Sequence, residues 1–154
     1  LGELTYQPEG LQPMVEACSL EMHEFLEAGG LTLQVDGLTS LGLVALHRTT
    51  LQRALAHLVR QTACAMPVGG VLSIRGRQEG QQACLEISGD GAGIPAAELP
   101  CVFEPWQRSS AEGTGLELYV AQEVVKAHRG RLTAQSPEGQ GTIFTVLLPC
   151  VEGT

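Results

Sequence analysis

The hydrophobic period changes several times along this chain, and the order of those changes limits the folds open to it. Apolar residues recur at steps of three and four over residues 11–26, which predicts an amphipathic helix closed by Gly29 and Gly30. Apolar and polar residues then alternate over 31–35, which predicts a half-buried strand. A loop should follow at 36–40.

The rest of the chain keeps exchanging helical and extended patterns. The further elements predicted are an extended piece at 4–7 ahead of Pro8, a short strand at 41–46, a helix capped by Thr49 or Thr50 and ended by Pro67, strands at 71–77 and 83–88 around a turn at 78–82, a short helical turn at 96–99, a polar and mobile segment at 105–113, a helix from about 115 to 130, and strands at 132–135 and 142–148.

Helices mixed with antiparallel hairpins favour an α+β architecture over a doubly wound parallel sheet. We expect a two-layer α/β sandwich, with a mixed, mostly antiparallel sheet covered on one face by three helices. With 154 residues and no internal repeat, the chain is predicted to be a single domain, 1–154. Because it starts at Leu1, we also expect it to be a fragment of a longer protein.

Composition excludes several functional classes. The formal net charge of −8 argues against nucleic-acid binding, which needs a basic face. The apolar runs are too short for a membrane segment, and no secretion signal is visible. The five cysteines form no CxxC pair and suggest reduced, mostly buried thiols in a cytoplasmic protein. The four histidines lack metal-site spacing.

An ordered series of motifs occupies the second half of the chain. It consists of Gly89-Asp90-Gly91-Ala92-Gly93-Ile94, Val102-Phe103-Glu104-Pro105, Gly113-Thr114-Gly115-Leu116-Glu117-Leu118, Ala127-His128-Arg129-Gly130 and Gly139-Gln140-Gly141-Thr142. This series resembles the ATP-binding domain of sensor histidine kinases, a domain of the Bergerat (GHKL) fold that gyrase shares. The resemblance covers nearly the whole chain and implies the fold predicted above.

The resemblance also implies a metal-binding pair on the second helix, where the family carries two asparagines four residues apart. Those positions are His57 and Gln61 here. Mg²⁺ prefers oxygen ligands, so Gln61 is a weak candidate for the metal and the imidazole of His57 is a poor one.

The first glycine motif of the family places an aspartate against the adenine amino group. In this register Gly89 takes the aspartate position, Asp90 is the variable residue, and Gly91 and Gly93 match the glycines. In the second motif Gly113 and Gly115 match, but Glu117 replaces a third glycine beside the phosphates. Thr142 matches a family position near the adenine pocket.

Two functions stay open. The first is a degenerate kinase-type domain that binds ATP weakly or not at all and serves as a signalling or partner-binding module. The alternative is an active domain that binds ATP and Mg²⁺ and phosphorylates a histidine outside this chain. The expected partners are the phosphoacceptor helical hairpin, another domain of the parent protein, or a response regulator. No catalytic residue is assigned.

A gyrase-like or anti-sigma ATPase shares the fold, but Phe103-Glu104-Pro105 and the closely following Gly113 favour the kinase branch.

Overall fold

The computed structural model describes residues 5–91, 103, 116–137 and 141–151. Its three α-helices are α1 (Leu11–Ala28), α2 (Arg48–Cys64) and α3 (Glu117–Ala127), and a 3₁₀ turn spans Leu38–Ser40. Each helix buries one apolar stripe, such as Leu51, Leu55 and Leu58 along α2. A stripe of this kind is stable only when another layer covers it. In the part of the chain described, no helix is both long and apolar enough to cross a bilayer.

A five-stranded sheet provides that layer. Its strands are β2 (Thr32–Asp36), β4 (Val71–Glu79), β5 (Gln82–Gly89), β6 (Arg131–Gln135) and β7 (Ile143–Pro149), in the order β2-β4-β5-β7-β6. The β2–β4 pair is parallel and the other three pairs are antiparallel. The mixed, mostly antiparallel sheet that the sequence predicts is therefore confirmed.

The core lies between the helices and one face of this sheet. Strand register places Ile74 opposite Ile87 and Ile87 opposite Phe144, and all three are buried. The other face carries polar pairs such as Arg75 opposite Glu86. Alternation along the strands separates the two faces, so the predicted two-layer sandwich is the observed one.

A second, two-stranded ribbon joins the ends of the described chain. Strand β1 (Gln7–Glu9) pairs antiparallel with β3 (Val44–Leu46), and Val44 also bridges Cys150. The N–H of Val151 donates to the Leu43 carbonyl at 2.8 Å. The first and last described segments thus meet at β3.

Three local expectations are wrong in detail. Helix α2 is capped by His47, whose side chain accepts the Thr50 N–H at 3.3 Å, and not by Thr49 or Thr50. Strand β1 runs through Pro8, which an edge position tolerates because no ladder N–H is needed there. The β4–β5 turn narrows to residues 80–81, with Gly80 at φ +61°. The predicted helical turn at 96–99 and the whole of the predicted mobile segment at 105–113 lie outside the described residues.

None of the four described cysteines forms a disulfide. Cys18 and Cys84 are buried, and burial raises the pKa of their thiols to about 12 and about 11. Both thiols therefore stay protonated and unreactive at neutral pH. Cys150 is partly buried and Cys64 is exposed, so the expectation of mostly buried thiols holds for only two of the four.

Candidate functional site

The structure brings the predicted site residues together where four elements meet. His57 and Gln61 lie one turn apart on α2, Gly89 ends β5, Glu117 opens α3, and Thr142 immediately precedes β7. Asp90 and Gly91 continue from β5 across the end of α2. Gly93, Gly113 and Gly115 lie outside the described residues. We refer to the seven described residues as the candidate site.

His57 and Glu117 are electrostatically coupled across the α2–α3 contact. Burial lowers the pKa of His57 below its usual 6.5, while the carboxylate of Glu117 opposes that shift more strongly than any other charge. Arg53 and Arg60 lower the His57 pKa further. The imidazole is therefore neutral at pH 7. The side chains of His57 and Glu117 thus lie near each other across the α2–α3 contact.

Gln61 follows His57 on the same side of α2 and is partly buried. Its neighbour Thr62 is 2% exposed and donates its hydroxyl to the Leu58 carbonyl at 2.9 Å. That bond satisfies the hydroxyl within the helix. At positions 57 and 61, α2 therefore presents one neutral imidazole and one amide.

Met66, just beyond α2, fills the space beside Gly89. A Cβ placed on Gly89 would overlap the Met66 Sδ and would lie 3.0 Å from Thr62 Cγ2. A Cβ on Gly70 would lie 2.9 Å from the Met66 Cε. The thioether thus passes between two glycines, and a longer side chain at position 89 would need Met66 to move.

Two further glycines are required by close backbone approach. Gly91 has φ +138°, and a Cβ there would overlap the Ala65 carbonyl oxygen at the end of α2. Gly141 has φ +71°, and its Cβ would overlap the Gly89 carbonyl oxygen. These contacts hold the Gly89–Gly91 segment between α2 and the start of β7. The following Thr142 is 5% exposed, so it is almost fully covered.

Few charged or metal-binding groups face the described part of the candidate site. No carboxylate extends from position 89, and Asp90 is exposed. The space at position 89 is occupied by a thioether, and only one of the two α2 positions carries an amide. Among the described residues, no group of three His, Cys, Asp or Glu side chains could hold a metal ion.

Sequence reasoning missed the part played by Met66. Nothing in the sequence distinguishes it from an ordinary core methionine, and its relation to Gly70 and Gly89 depends on strand positions far apart in the chain.

The expectation for His128, that it caps or packs at the end of α3, is confirmed. Its ring is 4% exposed, contacts the Val124 carbonyl at 2.8 Å, and accepts the His47 N–H at 3.0 Å.

Known proteins share this sequence pattern and this fold. The profile of the family described as "Histidine kinase-, DNA gyrase B-, and HSP90-like ATPase" matches residues 46–152. The sensor histidine kinase ZraS of Escherichia coli K12 is 34% identical over 99 residues, which are 64% of this chain and 21% of that protein. The chain spans about a fifth of the length of the curated relatives that it matches.

Solved structures agree. A mycobacterial sensor histidine kinase, MprB, superposes with a TM-score of 0.83 at 26% identity, over 94% of this chain and 97% of that one. The histidine kinase ThkA, solved with the response regulator TrrA, shares the fold at 17% identity with a TM-score of 0.78, over 95% of this chain and 42% of that one. The chain therefore belongs to the family of histidine kinase-, DNA gyrase B- and HSP90-like ATPases, as an ATP-binding domain of the sensor histidine kinase type.

Proposed function

We propose that this domain binds ATP–Mg²⁺ weakly or not at all and acts within a two-component sensor as a signalling and partner-binding module. The observation that carries the proposal is the position of Met66. It takes the space at Gly89, where the family resemblance calls for a carboxylate that contacts adenine.

The phosphate end of the candidate site supports the same proposal. Glu117 brings a negative charge to a position where the family has glycine beside the phosphates. An acidic residue in the first turn of α3 stabilises the helix dipole instead. His57 and Gln61 stand where the family has two asparagines, so one amide is lost, and the neutral imidazole of His57 is a poor ligand for Mg²⁺. Each replacement concerns a different part of the nucleotide.

We further propose that the domain works as one part of a longer sensor protein. Its partners would be a phosphoacceptor helical hairpin, another domain of that protein, or a response regulator. The support is the short share of each curated relative that this chain spans, together with the ThkA structure solved with a response regulator. This chain contributes no phosphoacceptor hairpin within the described residues.

Titration calorimetry with ATP and ADP, with and without Mg²⁺, tests the proposal. We expect a dissociation constant no tighter than about 1 mM, because losing two or three charge-assisted contacts weakens a micromolar site by about a thousandfold. A micromolar constant would contradict the proposal and would favour the active kinase. Transfer of the γ-phosphate to a separately supplied helical hairpin would then be the next measurement.

Restoring variants sharpen the test. Gly89→Asp alone should gain little, because Met66 blocks the new side chain, whereas Gly89→Asp with Met66→Ala should tighten ATP binding by about 10- to 150-fold. Met66→Ala alone is the matched control and should leave the affinity unchanged. Adding His57→Asn, Gln61→Asn and Glu117→Gly to the double variant should strengthen binding further. Equal affinities for Gly89→Asp with and without Met66→Ala would contradict the role given to Met66.

A further inference from the structure

A long depression runs between α1 and β2, on the side of the molecule away from α3. It consists of two adjoining cavities of about 600 and 570 Å³ that share Ser19, Leu20 and Val35. We call it the α1–β2 groove. Leu20 is 80% exposed and Val35 is 38% exposed. Two large apolar side chains thus face solvent within one concave surface.

One side of the groove is formed by β2, which lies at the edge of the five-stranded sheet. Strand β2 is the outermost strand, and among the described residues its only strand partner is β4. The Thr32 N–H donates to the Gly70 carbonyl at 3.1 Å, on the β4 side. Because backbone groups alternate along a strand, the N–H and C=O groups of Leu33 and Val35 point to the free edge. An extended peptide needs this arrangement to join a sheet.

The charges of the groove identify the chemistry of its occupant. Its described lining includes three carboxylates, Glu16, Glu27 and Asp36, and no lysine or arginine. His23 contacts Glu27 at 2.8 Å, and Arg75 approaches Asp36 at 3.8 Å from the neighbouring strand. A second copy of the chain would bring the same carboxylates together, and each copy carries a net charge of −8. A basic partner meets no such repulsion.

We propose that the α1–β2 groove binds an extended, basic segment of a partner protein, which adds a strand beside β2. Its apolar side chains contact Leu20 and Val35 on the α1 face. Lysine or arginine side chains at its ends extend toward Glu16 and Glu27, and those that point to the other face lie near Asp36. This inference supplies a surface for the partner-binding role proposed above and rests on it in that respect. The groove lies apart from the candidate site, so a test without nucleotide separates a failure here from a failure there.

The test is a titration of the isotope-labelled domain with the capped peptide Lys-Val-Lys-Val-Lys-Val-Lys, followed by NMR and amide exchange. Binding should slow the exchange of the Leu33 and Val35 amides at least tenfold and should weaken as salt is added. The same peptide with proline in place of its central valine should bind at least tenfold more weakly, because proline lacks the donor N–H. Absence of binding, or equal binding of the proline peptide, would overturn the proposal.

Variants of the domain provide matched controls. Glu16→Lys should weaken peptide binding at least fivefold, whereas Glu24→Lys, an exposed change on α1 outside the groove lining, should have a smaller effect. Val35→Pro removes an edge N–H and should abolish binding. Leu20→Gln, at a side chain too exposed to matter for folding, serves the same purpose if the proline variant does not fold. Equal effects of the two lysine variants, or dimerisation of the unmodified domain through this groove in sedimentation, would overturn the proposal.

Discussion

Met66 and Gly89 share one volume, so their substitutions should not be additive. Gly89→Ala should lower the free energy of unfolding by about 1–3 kcal/mol, because its methyl group overlaps the Met66 thioether. With Met66 already changed to Ala, the same substitution should cost less, with a coupling energy of about 0.5–3 kcal/mol. Urea denaturation of the four proteins in this double-mutant cycle measures it.

Gly10→Ala is the control for this cycle, since a Cβ there meets no atom within 4 Å. Its effect should simply add to that of Met66→Ala. Additivity of Gly89→Ala and Met66→Ala would show that the two residues do not compete for space.

His128 should make the stability of the fold depend on pH. Its Nε2 accepts the His47 N–H, its ring packs edge-on against Tyr6, and burial lowers its pKa below 6.5. The unfolded chain then binds the proton more readily than the folded one. Stability is complete above pH 6.5 and falls as the pH drops through 6.5 toward the lower pKa of the folded state.

Urea denaturation between pH 5 and pH 8 checks this dependence. His128→Gln should flatten it, and combining His128→Gln with His57→Gln should flatten it further, because burial lowers the His57 pKa too. If the pH dependence of the free energy of unfolding is the same in His128→Gln and in the double variant as in the unmodified domain, the two histidines are not its source.

At the scale of elements, the start of α2 depends on an unusual cap. His47→Ala should lower the free energy of unfolding by about 0.5–2 kcal/mol, because the Thr50 N–H then loses its side-chain acceptor. Thr49→Ala, which removes one of the two caps that the sequence suggested, should change the free energy of unfolding by less than about 0.5 kcal/mol. Thermal and urea denaturation compare the two, and a larger loss for Thr49→Ala would restore the cap predicted from the sequence.

The helices and the β4–β5 hairpin could be predicted from the sequence because their signals are local. The spacing of Leu51, Leu55 and Leu58 shows which face of α2 is buried without knowledge of the rest. The cap could not be predicted, since histidine is a rare N-cap and Thr49 and Thr50 are commoner ones. The β1–β3 ribbon was missed because Pro8 usually argues against a strand.

For the whole molecule, nucleotide should hardly stabilise the fold. At about 0.1 mM ATP with Mg²⁺, a dissociation constant of about 1 mM adds only about 0.06 kcal/mol. A constant of about 1 μM would add about 2.7 kcal/mol and raise the melting temperature by about 5–10 °C. Thermal denaturation with and without ATP decides between them, with the Gly89→Asp and Met66→Ala double variant as the positive comparison.

The family could be predicted at this scale, although the order of strands could not be derived from pattern alone. Strands β2 and β4 are parallel, and the whole of α2 lies between them in the sequence. No turn residue in the sequence therefore indicates that these two strands pair. Separation in the sequence also hides the closeness of Met66 to Gly89 and the electrostatic interaction between His57 and Glu117. The resemblance therefore proposes which residues form the candidate site. That Met66 fills the space beside Gly89 could be seen only in the folded structure.

The ribbon that joins the two ends of the described chain has a mechanical consequence. Tension applied through the flanking segments would first load the β1–β3 pair and the Val44–Cys150 bridge. Antiparallel pairs pulled apart at one end open bond by bond, so the ribbon should yield at low force while the five-stranded sheet stays intact. Stretching single molecules between tethers at the two ends should show a small early extension before the main unfolding event. A pull applied at the two ends would then lengthen the domain slightly by opening the β1–β3 ribbon, while the packing of the helices against the five-stranded sheet stays unchanged.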